Sequence, residues 1–362
     1  MKARDFAELL GLESLPEALD AVADQLISTI DGSAELAGPA IRMLEGGGKR
    51  LRPLLTIASA VAALPECSVA PLDERVRSGA ASVELVHVGS LVHDDIIDEA
   101  NTRRGVETIN SREGANQAVL VGDFLLARAG IEAASVSKEV ALSLAITISD
   151  LCDGQSLEGA HEFNVDRTPD QALTSIAGKT GALLRASCHI GALCVGELER
   201  AEALAEYGMQ FGMAFQLVDD LLDLVSTDEL MGKPVNNDAK SGVYTYPVLV
   251  ALAEDADPDG FKALMLGAKD SQEAADELKA RVLASGAVTE TLDRIGEYNK
   301  LASACLSVLP DSPTRTGLMA LPECYLNGIL TEKSDPALRT RQRASWADCA
   351  CPARTSGSFQ AD

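Results

Sequence analysis

The sequence predicts an all-α fold. Good helix formers dominate the chain, and apolar residues recur three and four residues apart in several long segments. These segments are residues 54–64, 83–97, 117–134 and 207–224. β-branched runs are few and short, and none alternates in series with hairpin-turn residues, so the pattern excludes a mainly β protein.

Glycine and proline residues divide this helical pattern. The breaks are Gly46–Gly48, Pro65, Pro71, Arg103–Gly105, Thr168–Pro169, Gly232–Pro234, Asp257–Pro258 and Pro310. Their spacing predicts helices of about 10–25 residues with short connections. Helical periodicity stops at Ser334, which predicts a flexible tail over residues 334–362.

Composition and charge narrow the possible functions. The chain has 362 residues, of which 55 are acidic and 31 basic, and a net charge of −24. So acidic a chain is not expected to bind nucleic acid, because phosphates are neutralised by Lys and Arg. None of the eight cysteines forms a CxxC pair, and the apolar runs fall short of the ~20 residues that a membrane span needs. The sequence therefore predicts a cytoplasmic protein with no membrane span.

Two short acidic segments share the pattern DDxxD on apolar, helical backgrounds. Their acids are Asp94, Asp95 and Asp98 in the first segment and Asp219, Asp220 and Asp223 in the second. On a helix, residues i and i+4 project from one face. A solvated acidic face is the alternative, but each run is preceded by Leu-Val, with His93 intervening in the first run, and encloses two branched apolar residues. Carboxylates without His or Cys suit a hard cation, so the segments predict a Mg²⁺ site that binds a phosphorylated substrate.

The scarce basic residues lie close to these acids in sequence. Lys49 and Arg52 follow a run of three glycines, which lets the backbone approach a phosphate on which both side chains can converge. The other basic groups near the acidic segments or in short polar breaks are Arg103, Arg104, Lys179 and Lys233. This arrangement predicts a site for two phosphorylated molecules, one bound through metal and one bound directly by Arg and Lys.

Five motifs resemble those of the all-trans polyprenyl diphosphate synthase family, in the order and spacing of that family. They are GGGKRLRP (46–53), VELVHVGSLVHDDIIDEANTRRG (83–105), GDFLLARA (122–129), KTGALL (179–184) and FQLVDDLLDLVSTDELMGKPVNND (215–238). The resemblance implies an isoprenoid synthase type of fold, with a single-domain helical bundle over residues 1–333 around a deep central cavity. It also implies a homodimer.

The resemblance implies roles for individual residues. Those that look like Mg²⁺ ligands are Asp94, Asp98 and Asp219, supported by Asp95, Asp220 and Asp223. Those that match the allylic diphosphate contacts are Arg103, Lys179 and Lys233. Those that match the isopentenyl diphosphate site are Lys49, Arg52, His87 and Arg104. Thr180 and Gln216 match groups near the developing carbocation, and with Lys179 they form the expected catalytic set.

The expected activity is Mg²⁺-dependent condensation of isopentenyl diphosphate with an allylic diphosphate, which releases pyrophosphate. Gly89 and Ser90, five and four residues before Asp94, are small, so we expect an open cavity and a product of twenty or more carbons. Val243 stands where many family members carry Lys and Glu107 where they usually carry Pro, which puts one accessory phosphate contact in question.

Two other functions fit parts of the sequence. A class I terpene cyclase shares the ionisation chemistry, but it has no use for a second diphosphate site. A non-catalytic partner subunit of a heteromeric synthase would be expected to have lost one acidic segment, whereas both are complete here.

Overall fold

The computed structural model describes residues 2–46, 48–64, 73–103, 105–231 and 236–335, which are almost entirely helical. The helices are α1 (Ala3–Leu10), α2 (Leu15–Thr29), α3 (Ala34–Glu45), α4 (Leu51–Ala63), α5 (Glu74–Ile97), α6 (Ile109–Glu113), α7 (Ala115–Val136), α8 (Lys138–Gly159), α9 (Pro169–Ile176), α10 (Ala182–Cys194), α11 (Leu198–Val225), α12 (Asp228–Met231), α13 (Tyr246–Glu254), α14 (Pro258–Gly267), α15 (Gln272–Ala284), α16 (Ala287–Cys305) and α17 (Pro313–Lys333). A π-helical turn spans Ala177–Gly181, and a 3₁₀ turn spans Leu306–Val308. The prediction of an all-α fold is confirmed.

The four predicted helical segments are confirmed as parts of α4, α5, α7 and α11. Local sequence explains where several helices begin. Thr168 caps α9 by accepting from the backbone N–H of Gln171, and the Gln171 side chain accepts from the N–H of Thr168. Pro169 then occupies the first helical position, where a missing N–H costs nothing. Asp257 caps α14 by accepting from the backbone N–H of Gly260, and Pro258 occupies the first helical position.

Strands are limited, in the part of the chain that the structure describes, to one small hairpin after α5. β1 (Thr102–Arg103) pairs antiparallel with β2 (Val106–Glu107), and Thr102 lies opposite Glu107. Gly105 in the turn has φ +78°, a left-handed backbone that favours glycine. The hairpin is the predicted break at Arg103–Gly105.

The chain forms two compact units. The first contains Met1–Asp150, Ala182–Met209 and Cys305–Leu318, and the second contains Leu151–Gly181, Gln210–Ala304 and Met319–Asp362. The first acidic segment belongs to the first unit, and the second acidic segment belongs to the second. The expectation of one domain over residues 1–333 stays a prediction.

Helix α5 is the centre of the first unit, where it packs against α2, α4, α7 and α10. Helix α4 is buried on nearly every side, and it also packs against α10. Gly191 makes that approach possible, because a Cβ there would lie 2.3 Å from the carbonyl oxygen of Thr56. The large buried area of these apolar helices supplies the main stabilisation of the unit.

The second unit places the last half of α11 beside the π-helical turn and α17. A Cβ at Gly212 would lie 2.7 Å from the Cα of Gly181, so the two backbones are in close contact. The ring of Tyr325 on α17 stacks on Phe215 and meets Phe211 edge-on, with ring centroids 6.2 Å apart in both pairs. These contacts fix the part of α11 that carries the second acidic segment.

Some predicted features lie outside the described residues. They are the breaks at Pro65, Pro71 and Gly232–Pro234, and the tail beyond Asp335. Within the described ranges, no helix has both the length and the apolar character that crossing a bilayer requires. The cytoplasmic location stays a prediction.

Candidate active site

The first acidic segment forms the last turn of α5 and its C-cap. Asp95 is buried with 1% of its surface exposed, whereas Asp94 is half-buried and Asp98 is exposed. Arg103 Nε donates to Asp95 Oδ1 over 2.7 Å. Burial raises the pKa of Asp95, and the Arg103 guanidinium opposes that shift. The structure thus divides the segment into an inward, paired acid and two outward acids.

The chain after α5 folds back onto Asp95. Asn110 Nδ2 donates to the carbonyl oxygens of Asp95 and Ala100, at 3.0 and 3.2 Å, and Thr108 Oγ1 donates to the same Ala100 oxygen. These bonds hold the hairpin that carries Arg103. Arg103, predicted as a diphosphate contact, is therefore also the counter-ion of Asp95, with its side chain 30% exposed.

One face of α5 carries His87, Ser90 and Asp94, which are spaced at helical intervals and are all partly exposed. Gly89 lies on a different face. A Cβ at Gly89 would lie 3.3 Å from the carbonyl oxygen of Gly122, against α7. The expectation that Gly89 leaves room in a cavity is therefore wrong, because this glycine permits close contact between two helices.

Gly122 on α7 serves the same contact from the other side. A Cβ at Gly122 would lie 2.1 Å from Nε2 of His93, so the imidazole occupies the space that a side chain at position 122 would take. The His93 Nε2 atom lies 3.4 Å from the carbonyl oxygen of Val119 and 3.6 Å from a carboxylate oxygen of Asp123. The GDFLLARA motif thus positions the helix turn that carries Asp94.

The second acidic segment also divides into inward and outward acids. Asp219 is exposed, whereas Asp220 is only 5% exposed. Gln216 Nε2 donates to Asp220 Oδ1 over 3.0 Å. Burial raises the pKa of Asp220 to about 7, with smaller contributions from the charges of Asp219, Glu158 and Asp223.

Asp223 fixes the chain that follows the second acidic segment. Its two carboxylate oxygens accept from the backbone N–H groups of Asn237 and Asp238, at 3.3 and 3.4 Å. Its carbonyl oxygen accepts from the N–H of Asn236 over 3.0 Å. Asn236 has φ +57° and donates its side-chain amide to the Ala275 carbonyl, which ties this loop to α15.

Lys179 and Thr180 lie on the π-helical turn, a deviation that often marks functional positions in helices. Thr180 Oγ1 donates to Gln216 Oε1 over 2.8 Å. Because Gln216 also bonds to Asp220, the three side chains form one hydrogen-bonded chain from the turn to the acidic segment. The structure thus brings together two of the three predicted catalytic residues and one predicted supporting acid.

Two charged residues of the second unit were not predicted. Glu158 Oε1 lies 2.5 Å from Lys179 Nζ. Gly154, four residues before Glu158 on α8, packs against the π-helical turn, and a Cβ there would lie 2.3 Å from the backbone nitrogen of Lys179. Arg167 is 5% exposed and donates to the Tyr244 carbonyl and to Ser175 Oγ, at 3.2 and 2.9 Å. Burial lowers the pKa of Arg167, and Glu158 and Asp220 oppose that shift. No local sequence pattern distinguishes Glu158 or Arg167 from the other charged residues of their segments.

The remaining predicted residues are placed as follows. Lys49 is exposed just before α4, and Arg52, in its first turn, is half-buried. Arg104 and Lys233 lie outside the described residues, so their roles stay predictions. Among the residues that the structure describes, no three His, Cys, Asp or Glu side chains converge as a metal site by themselves.

Comparison with known proteins identifies the family. The family model described as polyprenyl synthetase matches residues 33–283. The chain belongs to the polyprenyl synthetase family. It is therefore a prenyltransferase, as the five motifs predicted.

The relatives of this prenyltransferase have names that specify products of different chain lengths. The chain is 36% identical to a nonaprenyl diphosphate synthase of Mycobacterium tuberculosis, over 78% of this chain and 83% of that protein. It is 30% identical to heptaprenyl diphosphate synthase component 2 of Bacillus subtilis, over 85% and 87% of the two chains. A polyprenyl synthase of Caulobacter crescentus, solved with calcium and isoprenyl diphosphate, matches with a TM-score of 0.80 and 29% identity, over 89% of this chain and 97% of that one.

The raised pKa of Asp220 predicts a pH-dependent stability. In the unfolded chain this carboxyl ionises near 3.8, and in the folded protein it ionises at about 7. Between these values the folded state binds the extra proton, so the free energy of unfolding falls as the pH rises. We expect Asp220→Asn to be as stable as the unsubstituted protein at pH 4 and more stable at pH 8, by at most about 4 kcal/mol.

Urea unfolding with EDTA present, from pH 4 to pH 8, measures this difference. Asp219→Asn is the control for removing a carboxylate, because Asp219 lies exposed on the same turn. A stability difference for Asp220→Asn that does not change with pH would contradict the assignment.

Proposed function

We propose that this prenyltransferase condenses isopentenyl diphosphate with an allylic diphosphate to form an all-trans polyprenyl diphosphate of twenty or more carbons. Pyrophosphate is the second product. The observation that carries this proposal is the hydrogen-bonded chain from Thr180 through Gln216 to Asp220, with Lys179 on the same π-helical turn. Lys179, the proposed diphosphate ligand, thus lies on the turn whose Thr180 bonds to Gln216 beside the second acidic segment.

The donor atoms of both acidic segments suit a divalent cation, and Mg²⁺ is our proposal. All six side chains offer hard carboxylate oxygens, and the buried Oδ2 atom of Asp95 has no hydrogen-bond partner among the described residues. The proposed metal ligands are Asp94 and Asp98 in the first unit and Asp219 in the second unit, because these acids are exposed or half-buried. Bound Mg²⁺ would supply Lewis-acid neutralisation of the diphosphate charge. The related Caulobacter crescentus structure, with its calcium and isoprenyl diphosphate, supports this proposal.

Lys179 is proposed to bind the diphosphate that leaves the allylic substrate. Its ammonium group is in contact with Glu158 in this structure, so the carboxylate holds the side chain in place before the substrate arrives. A diphosphate carries more negative charge than a single carboxylate, so it competes well for the same cation. Arg167, buried in the same unit, partly offsets the charge of Glu158.

Thr180 and Gln216 are proposed to face the reacting carbon. The bond between C1 of the allylic substrate and its diphosphate oxygen breaks, and C1 becomes cationic. The hydroxyl and amide oxygens can stabilise that charge without forming a bond, because the hydrogen bond between them fixes their direction. The double bond of isopentenyl diphosphate then attacks C1, and a proton leaves the new chain. The released pyrophosphate is the proposed base.

Isopentenyl diphosphate is proposed to bind at the start of α4 and on the adjoining face of α5. Lys49, Arg52 and His87 are the described residues of this proposed site, and all three are exposed or half-buried. Holding both substrates together converts the encounter into a step within one complex.

The test is incubation with labelled isopentenyl diphosphate, an allylic primer and Mg²⁺, followed by chromatography of the dephosphorylated products. We expect chains of twenty or more carbons. Asp219→Ala should lower kcat at least 100-fold, because it removes a proposed metal ligand from an exposed position that folding does not need. Asp270→Ala, which removes another exposed aspartate of the same unit, should leave kcat unchanged.

Each other outcome has a distinct meaning. A lack of elongation with every primer from five to twenty carbons would contradict the proposal. Cyclic hydrocarbons would indicate a terpene cyclase. Elongation only after a second protein is added would indicate a subunit of a heteromeric enzyme, as the name of the Bacillus subtilis relative suggests for that protein.

Ser90 is proposed to limit product length. It lies one turn below Asp94 on the partly exposed face of α5, about 6 Å along the axis. We expect Ser90→Phe to shorten the products while the protein stays folded. Gly89→Phe should instead lower the thermal unfolding midpoint, because its ring would meet α7. Chromatography and thermal unfolding measure the two effects, and unchanged products from Ser90→Phe would contradict the role of Ser90.

A homodimer is also part of the proposal. Large apolar side chains are exposed along α7 and the first half of α8, within the first unit: Val119, Leu120, Ile131, Leu142 and Ile146, each between 44% and 57% exposed. A Cβ at Gly130 would meet nothing within 4 Å, so a second backbone could approach there. Exposed apolar surface of this extent is typical of protein interfaces.

Light scattering after size-exclusion chromatography tests the dimer. The expected mass is twice the 38.0 kDa of one chain. The double substitution Ile131→Lys and Leu142→Lys should give the mass of one chain, because it buries two charges in the proposed interface. Leu301→Lys, at another exposed leucine on α16, should leave the mass of the dimer unchanged. A monomeric unsubstituted protein would contradict the proposal.

A further inference from the structure

The start of α4 carries three cations, Lys49, Arg50 and Arg52. Lys49 is exposed and Arg52 is half-buried. Arg50, between them, has φ +48° and ψ 40°, a left-handed backbone that is uncommon for a residue with a side chain. The Arg50 side chain is largely buried, and its guanidinium contacts residues inside the first unit.

The Arg50 guanidinium joins two other helices. Its Nη1 atom donates to Glu84 Oε1 on α5 over 2.8 Å, and its Nη2 atom donates to the Leu44 carbonyl oxygen at the end of α3 over 2.7 Å. The backbone carbonyl of Arg50 accepts from Leu54 N–H and so begins α4. One residue therefore fixes the end of α3, the start of α4 and the middle of α5 relative to one another.

Glu84 links this contact to the proposed isopentenyl diphosphate site. It lies one turn before His87 on α5, and its side chain is 7% exposed. A buried carboxylate without a counter-ion would be costly, and it would also repel a diphosphate bound nearby. Arg50 supplies that counter-ion.

We propose that Arg50 and Glu84 are positioning residues for the isopentenyl diphosphate site. They do not touch the substrate. They hold the segment that carries Lys49 and Arg52 at a fixed distance from His87, and this preorganisation raises the affinity for the homoallylic diphosphate. The inference rests on the proposed function, because that function defines the site. The described allylic contacts, Arg103 and Lys179, have other partners, Asp95 and Glu158.

Arg50→Asn is the decisive substitution. Asparagine accepts a left-handed backbone, so the variant removes the guanidinium and preserves the backbone at the start of α4. We expect the Kd of isopentenyl diphosphate to rise at least 10-fold and the Kd of an allylic diphosphate to change less than 2-fold. Isothermal titration with each substrate alone and Mg²⁺ measures both values without turnover.

A second variant shows whether the affinity falls because the segment is no longer positioned or because the buried Glu84 carboxylate has lost its counter-ion. Arg50→Asn leaves Glu84 without its counter-ion, and adding Glu84→Gln removes that charge. We expect the double variant to regain the thermal unfolding midpoint and to keep the weakened affinity for isopentenyl diphosphate. Full recovery of the affinity would overturn the proposal, because the loss would then come only from the isolated carboxylate.

Glu132→Ala is the matched control for lost stability. Glu132 is a buried carboxylate of the same unit, 8% exposed, which accepts from Gln25 and Thr29 on α2. We expect a lower unfolding midpoint and an unchanged Kd for isopentenyl diphosphate. A Kd raised as much as in Arg50→Asn would overturn the positioning role.

The same titrations distinguish this proposal from the proposed function. An unsubstituted protein that binds isopentenyl diphosphate but does not elongate a primer contradicts the function, and the comparison of Kd values still tests the positioning role. An elongating protein whose affinity is unchanged in Arg50→Asn overturns the positioning role alone. If the unsubstituted protein does not bind isopentenyl diphosphate, the positioning role is overturned as well.

Discussion

A carboxylate removed from water must find a donor or lose its charge, and the candidate site is built around that requirement. Each inward acid that the site uses has a specific partner. Arg103 pairs with Asp95, Lys179 with Glu158, and the Gln216 amide with Asp220. Because burial disfavours an isolated charge, these partners make it possible for the three acids to lie away from solvent.

This requirement ties the acidic segments to the rest of each unit. The donors come from elements far away in sequence, such as the hairpin after α5 and the π-helical turn before α10. The π-helical turn lies against the backbone at Gly154, and the end of α5 that precedes the hairpin packs against Gly122 through the His93 imidazole. Site geometry thus depends on helix packing, and the glycines of the motifs serve that packing as much as they serve any substrate.

Much of the fold and part of the site could be predicted from the chain alone. The helical segments followed from apolar periodicity, and the starts of α9 and α14 followed from their capping residues and prolines. The motifs also indicated which residue types bind diphosphates. Periodicity could not show that Gly89 faces α7, because two adjacent residues of a helix differ in direction by about 100° and only the neighbouring helix decides which one is buried.

The sequence by itself determined the helical fold class, the family and the identity of the acidic and basic groups. Local propensity, hydrophobic spacing and motif order carry that information. Only the tertiary structure decided how the charges are paired. Glu158 meets Lys179 from 21 positions away, and Glu84 meets Arg50 from 34 positions away. Such pairs form because folding removes both partners from water at one place, and no local pattern in the chain records which partners will meet there.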